Sequence, residues 1–293
     1  MEASTPVMTT IVDKPGIYYD IPELTYHSDR ATAPNLGRSL SASGAKTLLR
    51  DPERFAWERD KGRPGKDAFD LGGVVHALVL RSGDERIRII DARDWKSKAA
   101  QEAKREARAA GLTPINRTEF LQATKIAQAV RRHPLASEIF TKGRPEVSFY
   151  WIDADTGVTC RGRVDWLRDD MIVDLKTARY GTGTEDAFGR QSATYDYPLS
   201  AAVYTDGYEA LTGTTLPFVT VTVETAPPYI VRVYRYEEVD LHIGRERWQK
   251  ALKEYAVREQ TGDWSGPNEI QTITLPGWYG YDPTDDDDVE LTL

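Results

Sequence analysis

The hydrophobic positions follow a helical spacing in the first half of the chain. This pattern predicts a helix through residues 45–49, with Ser41 or Ser43 as its N-cap, and a second helix that starts at Pro52. The apolar run LGGVVHALVL, which starts at Leu71, predicts a buried helix. Two more polar helices are expected at about 93–110 and 118–132.

After residue 145 the pattern changes to short runs rich in β-branched and aromatic residues. These runs predict strands at 146–152, 158–167 and 171–176, with turns at 155–157 and 168–170 between them. Further on, a helix is expected at 197–211, strands at 218–224 and 229–236, and a helix at 240–259. Strand runs bracketed by helices predict an α/β (α+β) fold with a central mixed β-sheet flanked by helices.

The chain shows no internal repeat or linker that would divide this pattern. We therefore predict an irregular N-terminal segment over 1–37, a single domain over 38–281 and a disordered acidic tail over 282–293. The alternative is a tail that contacts a basic partner or mimics nucleic acid.

Composition and charge exclude several classes of protein. The 293 residues carry a net charge of −8, but six acids lie in the last twelve residues, which leaves −2 for the rest and does not exclude DNA as a partner. The single Cys160 excludes an internal disulfide and a site built from several thiolates. No apolar run reaches the length of a membrane span, and the first residues lack a secretory signal pattern, so we expect a cytoplasmic protein without a membrane partner.

The candidate chemistry concentrates in the sequence GRVDWLRDDMIVDLKTA, residues 162–178. Because side chains alternate along a strand, Asp174 and Lys176 share one face. A hairpin that pairs 168 with 171 places Asp165 opposite Asp174, with Cβ atoms roughly 5 Å apart. Two such carboxylates favour a cation between them, and hard oxygen ligands suit Mg²⁺ or Mn²⁺. The alternative is that both acids are ordinary residues on a solvent-exposed strand face.

These residues resemble a known signature. Asp165 followed by Asp174-Leu175-Lys176 resembles the catalytic motif of the PD-(D/E)XK nuclease superfamily, with Asp in the place of the more usual Glu. The surrounding blocks LSASGAKTLLRDPERFAWERD, LGGVVHALVL, EVSFYWIDADTGVTCRGRVDWL and YDYPLSAAVYTDGYEA resemble, in the same order, phage exonucleases of the RecE type (exodeoxyribonuclease VIII). The resemblance covers about residues 38–212.

The resemblance implies a role for each matching residue. Asp165, Asp174, the backbone carbonyl of Leu175 and His76 would be metal ligands, and Lys176 would orient or deprotonate the attacking water. A single histidine on an apolar helix, judged without the resemblance, is more often a core residue than a metal ligand. Glu146 matches an acidic position of the family and is either a further ligand or the ion-pair partner of Arg161 or Arg163.

One position departs from the family. Ser200 stands where related sequences carry Gln four residues before a Tyr, here Tyr204, and Gln191 is a candidate replacement. Tyr197 and Tyr204 either line the site or pack in the core. The set of candidate DNA contacts comprises Ser41, Ser43, Lys46, Arg161, Arg163, Tyr197 and Tyr204.

The resemblance also implies an activity and partners. We expect a 5′-to-3′ exonuclease that uses one or two Mg²⁺ (or Mn²⁺) ions to digest linear double-stranded DNA. It would act in phage homologous recombination with a single-strand annealing protein, as a homo-oligomeric ring in a bacterial host. The alternatives are a RecB-like repair nuclease of other polarity, whose usual four cysteines are missing here, and a catalytically weak DNA-binding accessory protein.

Overall fold

The computed structural model describes residues 11–27, 33, 35–62 and 67–275. The predicted acidic tail lies outside the described residues. Within them, no helix has both the length and the apolar character that crossing a membrane requires.

The described residues form a large mixed β-sheet and a separate parallel strand pair. The large sheet has the order β1-β5-β6-β7-β8-β9, and β2 pairs with β6. The strands β7 and β8 are parallel, whereas β5, β6 and β7 form an antiparallel meander. The strands are β1 (Gly16–Tyr18), β2 (Leu40–Ser41), β3 (Ile87–Ile90), β4 (Thr113–Asn116), β5 (Arg144–Ile152), β6 (Thr159–Leu167), β7 (Ile172–Ala178), β8 (Phe218–Glu224) and β9 (Val231–Tyr234).

Helices cover both faces of the large sheet, which confirms the predicted mixed α/β fold. They are α1 (Glu23–His27), α2 (Ala42–Arg50), α3 (Pro52–Lys61), α4 (Asp67–Leu80), α5 (Lys98–Ala109), α6 (Arg117–Arg132), α7 (Pro134–Ile139), α8 (Glu185–Tyr195), α9 (Tyr197–Thr212) and α10 (Glu238–Thr261). One core joins the sheet to α2, α9 and α10, around Phe149 and Trp248. A second core joins the sheet to α4 and α6, around Leu175 and Ile126.

The helix boundaries follow the capping chemistry. The Ser41 side chain accepts from the N–H of Gly44 at the start of α2, and the Asp51 side chain accepts from the N–H of Arg54 at the start of α3. The helix expected from residue 93 begins only at Lys98, because Ser97 caps it. The final helix is longer than expected and extends over Glu238–Thr261.

Part of the segment expected to be irregular, 1–37, belongs to the sheet. Gly16–Tyr18 forms the edge strand β1 and pairs antiparallel with β5. Tyr18 and Tyr26 pack edge-on against the buried Tyr150. A strand of three residues is too short to give a periodic signal, so its partner strand is what stabilises it.

Close approach of backbone explains one glycine. Helices α9 and α10 pack together, and a Cβ on Gly244 would lie 2.3 Å from the carbonyl oxygen of Pro198. Any side chain at this position would therefore separate the two helices. The α9 helix carries Tyr197 and Tyr204 beneath the sheet, so this contact also positions the candidate site.

Candidate active site

The hairpin of β6 and β7 has the register that the sequence predicts. Trp166 pairs with Val173 and Leu167 with Ile172, and one further step places Asp165 opposite Asp174. Beyond Trp166 the backbones of the two strands no longer pair. The Asp165 Oδ2 instead accepts a hydrogen bond of 2.6 Å from the peptide N–H of Leu175. The pairing of β6 with β7 therefore ends at the pair of carboxylates.

Glu146 lies on β5, which pairs with β6 on the side away from β7, and it stands opposite Asp165. The pairing of β5 with β6 runs from Pro145–Trp166 to Val147–Val164, so the same register places Glu146 and Asp165 side by side. Glu146 has a φ of 51°, in the left-handed region that few residues other than glycine occupy. Such strained backbone is concentrated at functional sites. The three carboxylates of Glu146, Asp165 and Asp174 thus follow one line across three neighbouring strands.

His76 brings a nitrogen donor to this line from α4. Its Nδ1 lies 3.7 Å from the Oδ2 of Asp165. His76, Glu146 and Asp165 each offer a ligand atom, and these three atoms lie within 4.8 Å of one another. Two carboxylates and one imidazole suit a divalent cation such as Mg²⁺ or Mn²⁺. The donor set therefore fits a metal ion, and the ligand roles of these residues remain predictions.

Asp174 and Lys176 form a buried ion pair next to this cluster. The Lys176 Nζ lies 2.5 Å from the Oδ2 of Asp174. Burial alone would lower the pKa of Lys176, but the carboxylates of Asp174 and Asp165 outweigh it and raise that pKa above its ordinary value. Lys176 is consequently held in its charged form. The Leu175 side chain between them is fully buried in the second core, and the ligand role of its carbonyl stays a prediction.

The crowding of acids perturbs Glu146 most clearly. Burial, followed by the repulsion of Asp165, raises the pKa of Glu146 to about 8. Arg163 opposes this shift from 4.0 Å away, so the ion pair considered from the sequence is a long one. Glu146 therefore combines both sequence alternatives, because it belongs to the ligand cluster and also faces Arg163. A cation at the cluster would favour the ionised form of Glu146.

Two lysines lie over one aromatic ring beside the carboxylates. The Nζ atoms of Lys46 and Lys176 are each 5.3 Å from the centre of the Tyr197 ring. Burial and the positive charge of Lys176 lower the pKa of Lys46 to about 8. The hydroxyl of Tyr197 lies 3.4 Å from the Nε2 of Gln191, which comes from α8. Gln191 thus contacts Tyr197 beside the carboxylates. Related sequences carry Gln at the position of Ser200, so Gln191 stays a candidate replacement for that side chain.

Tyr204 packs against the first core below the carboxylates and does not line the site. Its ring stacks on Phe218 at 6.3 Å and lies against Gly162, where a Cβ would approach it to 3.0 Å. Burial, followed by the charges of Asp174 and Asp165, raises the pKa of Tyr204 well above its ordinary value. Tyr204 is therefore a neutral phenol below the acidic line.

The two arginines proposed as DNA contacts hold the N-terminal segment against the sheet. Arg161 donates to the Ser39 hydroxyl at 2.9 Å and lies over the Tyr26 ring. Arg163 donates to Ser148 and to the carbonyl of Ile21, and it also lies over Tyr26. Each guanidinium group therefore has protein partners, and a contact of either arginine with DNA stays a prediction.

The two serines proposed as DNA contacts lie at the start of α2. Ser41 is the N-cap of this helix, and its hydroxyl is 3.3 Å from that of the exposed Ser43. The Ser41 hydroxyl therefore has an intramolecular role as the cap. A contact of either serine with DNA stays a prediction.

Comparison with known proteins agrees with this fold. A crystal structure of a candidate exonuclease from Eubacterium rectale matches with a TM-score of 0.60 and 16% identity, over 89% of this chain and 98% of that one. The structure of SSO0001 matches with a TM-score of only 0.28 and 12% identity, over 66% of this chain and 86% of that one. No curated protein matches the chain.

The family model that matches is described as a PDDEXK-like domain of unknown function (DUF3799), and it covers residues 41–273. This range contains His76, Glu146, Asp165, Asp174 and Lys176, and most of the chain. The chain therefore belongs to the DUF3799 family of PDDEXK-like domains.

Proposed function

We propose that this protein is a metal-dependent nuclease that hydrolyses phosphodiester bonds in DNA. The observation that carries the proposal is the line of Glu146, Asp165 and Asp174 across three strands, with His76 on one side and Lys176 on the other. Membership of a PDDEXK-like family supports the same reading. A structural role alone would not require three carboxylates on adjacent strands, since like charges this close destabilise a fold.

The residues divide into two groups with different tasks. His76, Glu146 and Asp165 would hold a divalent cation. Asp174 stands opposite Asp165 across the hairpin, and its role as a further ligand stays a prediction. Such a cation, when bound, lowers the pKa of a coordinated water and offsets the negative charge of a phosphate. The N–H of Leu175 fixes the orientation of the Asp165 carboxylate, so the ligand is held in place before any metal binds.

Lys176 acts as a fixed positive charge in this arrangement. Its pKa is raised by Asp174 and Asp165, so it keeps its proton near neutral pH. A protonated ammonium donates hydrogen bonds and cannot accept a proton. Of the two roles that the resemblance offered, we therefore favour orientation of the attacking water and stabilisation of developing charge over general-base catalysis.

The finer activity rests on the resemblance over residues 38–212. We propose a 5′-to-3′ exonuclease on linear double-stranded DNA, working in phage homologous recombination with a single-strand annealing protein and assembled as a homo-oligomeric ring. A bacterial cytoplasm would be its place of action. Mass measurement in solution tests the ring, because a trimer or tetramer supports it and a stable monomer contradicts it.

One experiment tests the activity and its polarity together. Linear duplex DNA labelled at the 5′ or the 3′ end is incubated with Mg²⁺ or with EDTA, beside closed circular DNA. The proposal predicts Mg²⁺-dependent release of nucleotides from linear DNA only, with the 5′ label released first. Asp174→Asn and Lys176→Ala should abolish release while circular dichroism shows a folded protein. Asp169→Asn, the same substitution at the exposed turn of the hairpin, should retain the parental rate. Parental activity in either site variant would contradict the proposal.

A further inference from the structure

Lys46 is a second cation beside Lys176, and it comes from a different part of the chain. It lies on α2, is partly buried, and its Nζ is 5.3 Å from the centre of the Tyr197 ring. Lys176 lies at the same distance from the same ring. Tyr197 thus brings together two ammonium groups from positions 130 residues apart in the sequence.

The two lysines differ in how their charges are balanced. Lys176 has the Asp174 carboxylate at 2.5 Å. Lys46 forms no hydrogen bond or ion pair with any residue in the described part of the chain, and its ammonium group is directed to the Tyr197 ring. The carboxylates of Asp174 and Asp196 attract this ammonium group, but neither lies within ion-pair distance of it. A partly buried charge without a direct anionic contact is costly, and a ring face offsets only part of that cost. An external anion bound at this position would therefore stabilise the positive charge of Lys46.

We propose that Lys46 binds a nonbridging phosphate oxygen of the DNA strand that is cut, and so positions that strand against the carboxylate line. This inference rests on the proposed function. The ligand class follows from the surroundings. The carboxylate line already supplies negative charge at the site. The phosphodiester of the DNA is the anion that the proposed reaction brings between these carboxylates and Lys46. In this role Lys46 is a positioning residue, distinct from Lys176, whose charge Asp174 already neutralises.

The alternative role for Lys46 is packing alone. In that case the ammonium group contributes only its cation–π contact with Tyr197. Lys46→Met keeps the stem and removes the charge, whereas Lys46→Arg keeps the charge. Lys104 on α5 provides a matched control, because its Nζ lies 4.3 Å from the Trp95 ring, away from the carboxylate line.

The experiment measures kcat/KM of the full chain on linear duplex DNA with Mg²⁺ at several NaCl concentrations between 50 and 200 mM. For Lys46→Met we expect kcat/KM to fall at least about tenfold at the lowest salt, the loss of one charged hydrogen bond. The salt dependence of log kcat/KM should become shallower by about 0.9, the value of one phosphate contact. Lys46→Arg should restore the parental slope, and Lys104→Met should match the parent.

The outcomes distinguish a failure of this inference from a failure of the proposed function. If the parent does not cleave DNA, the proposed function fails and the inference with it. If the parent cleaves and Lys46→Met keeps the parental kcat/KM and salt slope, only the inference is overturned. A thermal melt compares the folded state of each variant, and Lys46→Gln supplies a second neutral side chain if the Met variant does not fold.

Discussion

Replacing Glu146 by Gln should change how metal binding depends on pH. The pKa of Glu146 is raised to about 8 by burial and by Asp165, so most of the metal-free protein carries a neutral Glu146 at pH 6. A cation binds the ionised carboxylate, so binding releases this proton and becomes stronger as the pH rises. Gln has nearly the same shape and no proton to lose, so this part of the pH dependence should disappear.

The size of the effect follows from the raised pKa. A carboxyl group with a pKa of about 8 is roughly 1% ionised at pH 6 and half ionised at pH 8, so this group alone strengthens the apparent affinity roughly fiftyfold over that interval. Other ligands that lose protons add to the parental change but are common to both proteins. The ratio of affinities at pH 8 and pH 6 should therefore be roughly fiftyfold larger for the parent than for Glu146→Gln.

Isothermal titration of the metal-free proteins with Mn²⁺ at pH 6, 7 and 8 measures these ratios. Proton release, obtained by repeating the titration in buffers of different ionisation enthalpy, should be greater for the parent than for Glu146→Gln at pH 7. Glu106→Gln, at an exposed position on α5, serves as the matched control and should behave as the parent. Equal ratios for the parent and the Glu146 variant would show that Glu146 does not take part in metal binding.

Three further predictions concern the ligand set, the packing below it and the tail. His76→Ala should weaken Mn²⁺ binding about tenfold or more in the same titration, because one donor of the cluster is lost, and unchanged binding would remove His76 from it. Gly244→Ala should lower the free energy of unfolding in urea by about 2 kcal/mol, because its Cβ would meet the Pro198 carbonyl. Gly189→Ala on α8 has open space and should not destabilise the protein; equal stabilities would refute the packing argument. Truncation after Tyr281 should leave nucleotide release at the parental rate, and a loss of activity would show that the acidic tail takes part.

The hairpin at the centre of the site could be predicted from sequence because its determinants are local. A short turn at 168–171 fixes the register of β6 and β7, and the alternation of side chains along each strand then places Asp165 and Asp174 on the same face. The predicted register therefore agrees with the pairs Trp166–Val173 and Leu167–Ile172. The resemblance added His76, whose position on an apolar helix gave no signal of its own.

The remaining features depend on contacts between distant residues. The resemblance named Glu146, and its place beside Asp165 depends on the exact register of β5 with β6 and on its own left-handed backbone, which the strand pattern does not give. The shared ring of Tyr197 joins α2 to β7, and no periodicity connects those segments. The helices α1, α7 and α8 and the strands β1, β2, β3 and β4 also had no predicted counterpart. These four strands have four residues or fewer, and tertiary packing outweighs their weak propensity.

Crystals of the full chain soaked with Mn²⁺ would test the central claim most directly. An anomalous difference map shows where the ion binds, independently of any assay of activity. The account predicts a peak bonded to side chains of His76, Glu146 and Asp165, next to the Asp174–Lys176 pair. A map with no peak there at saturating Mn²⁺, with the Asp165 carboxylate still held by the N–H of Leu175 alone, would contradict it.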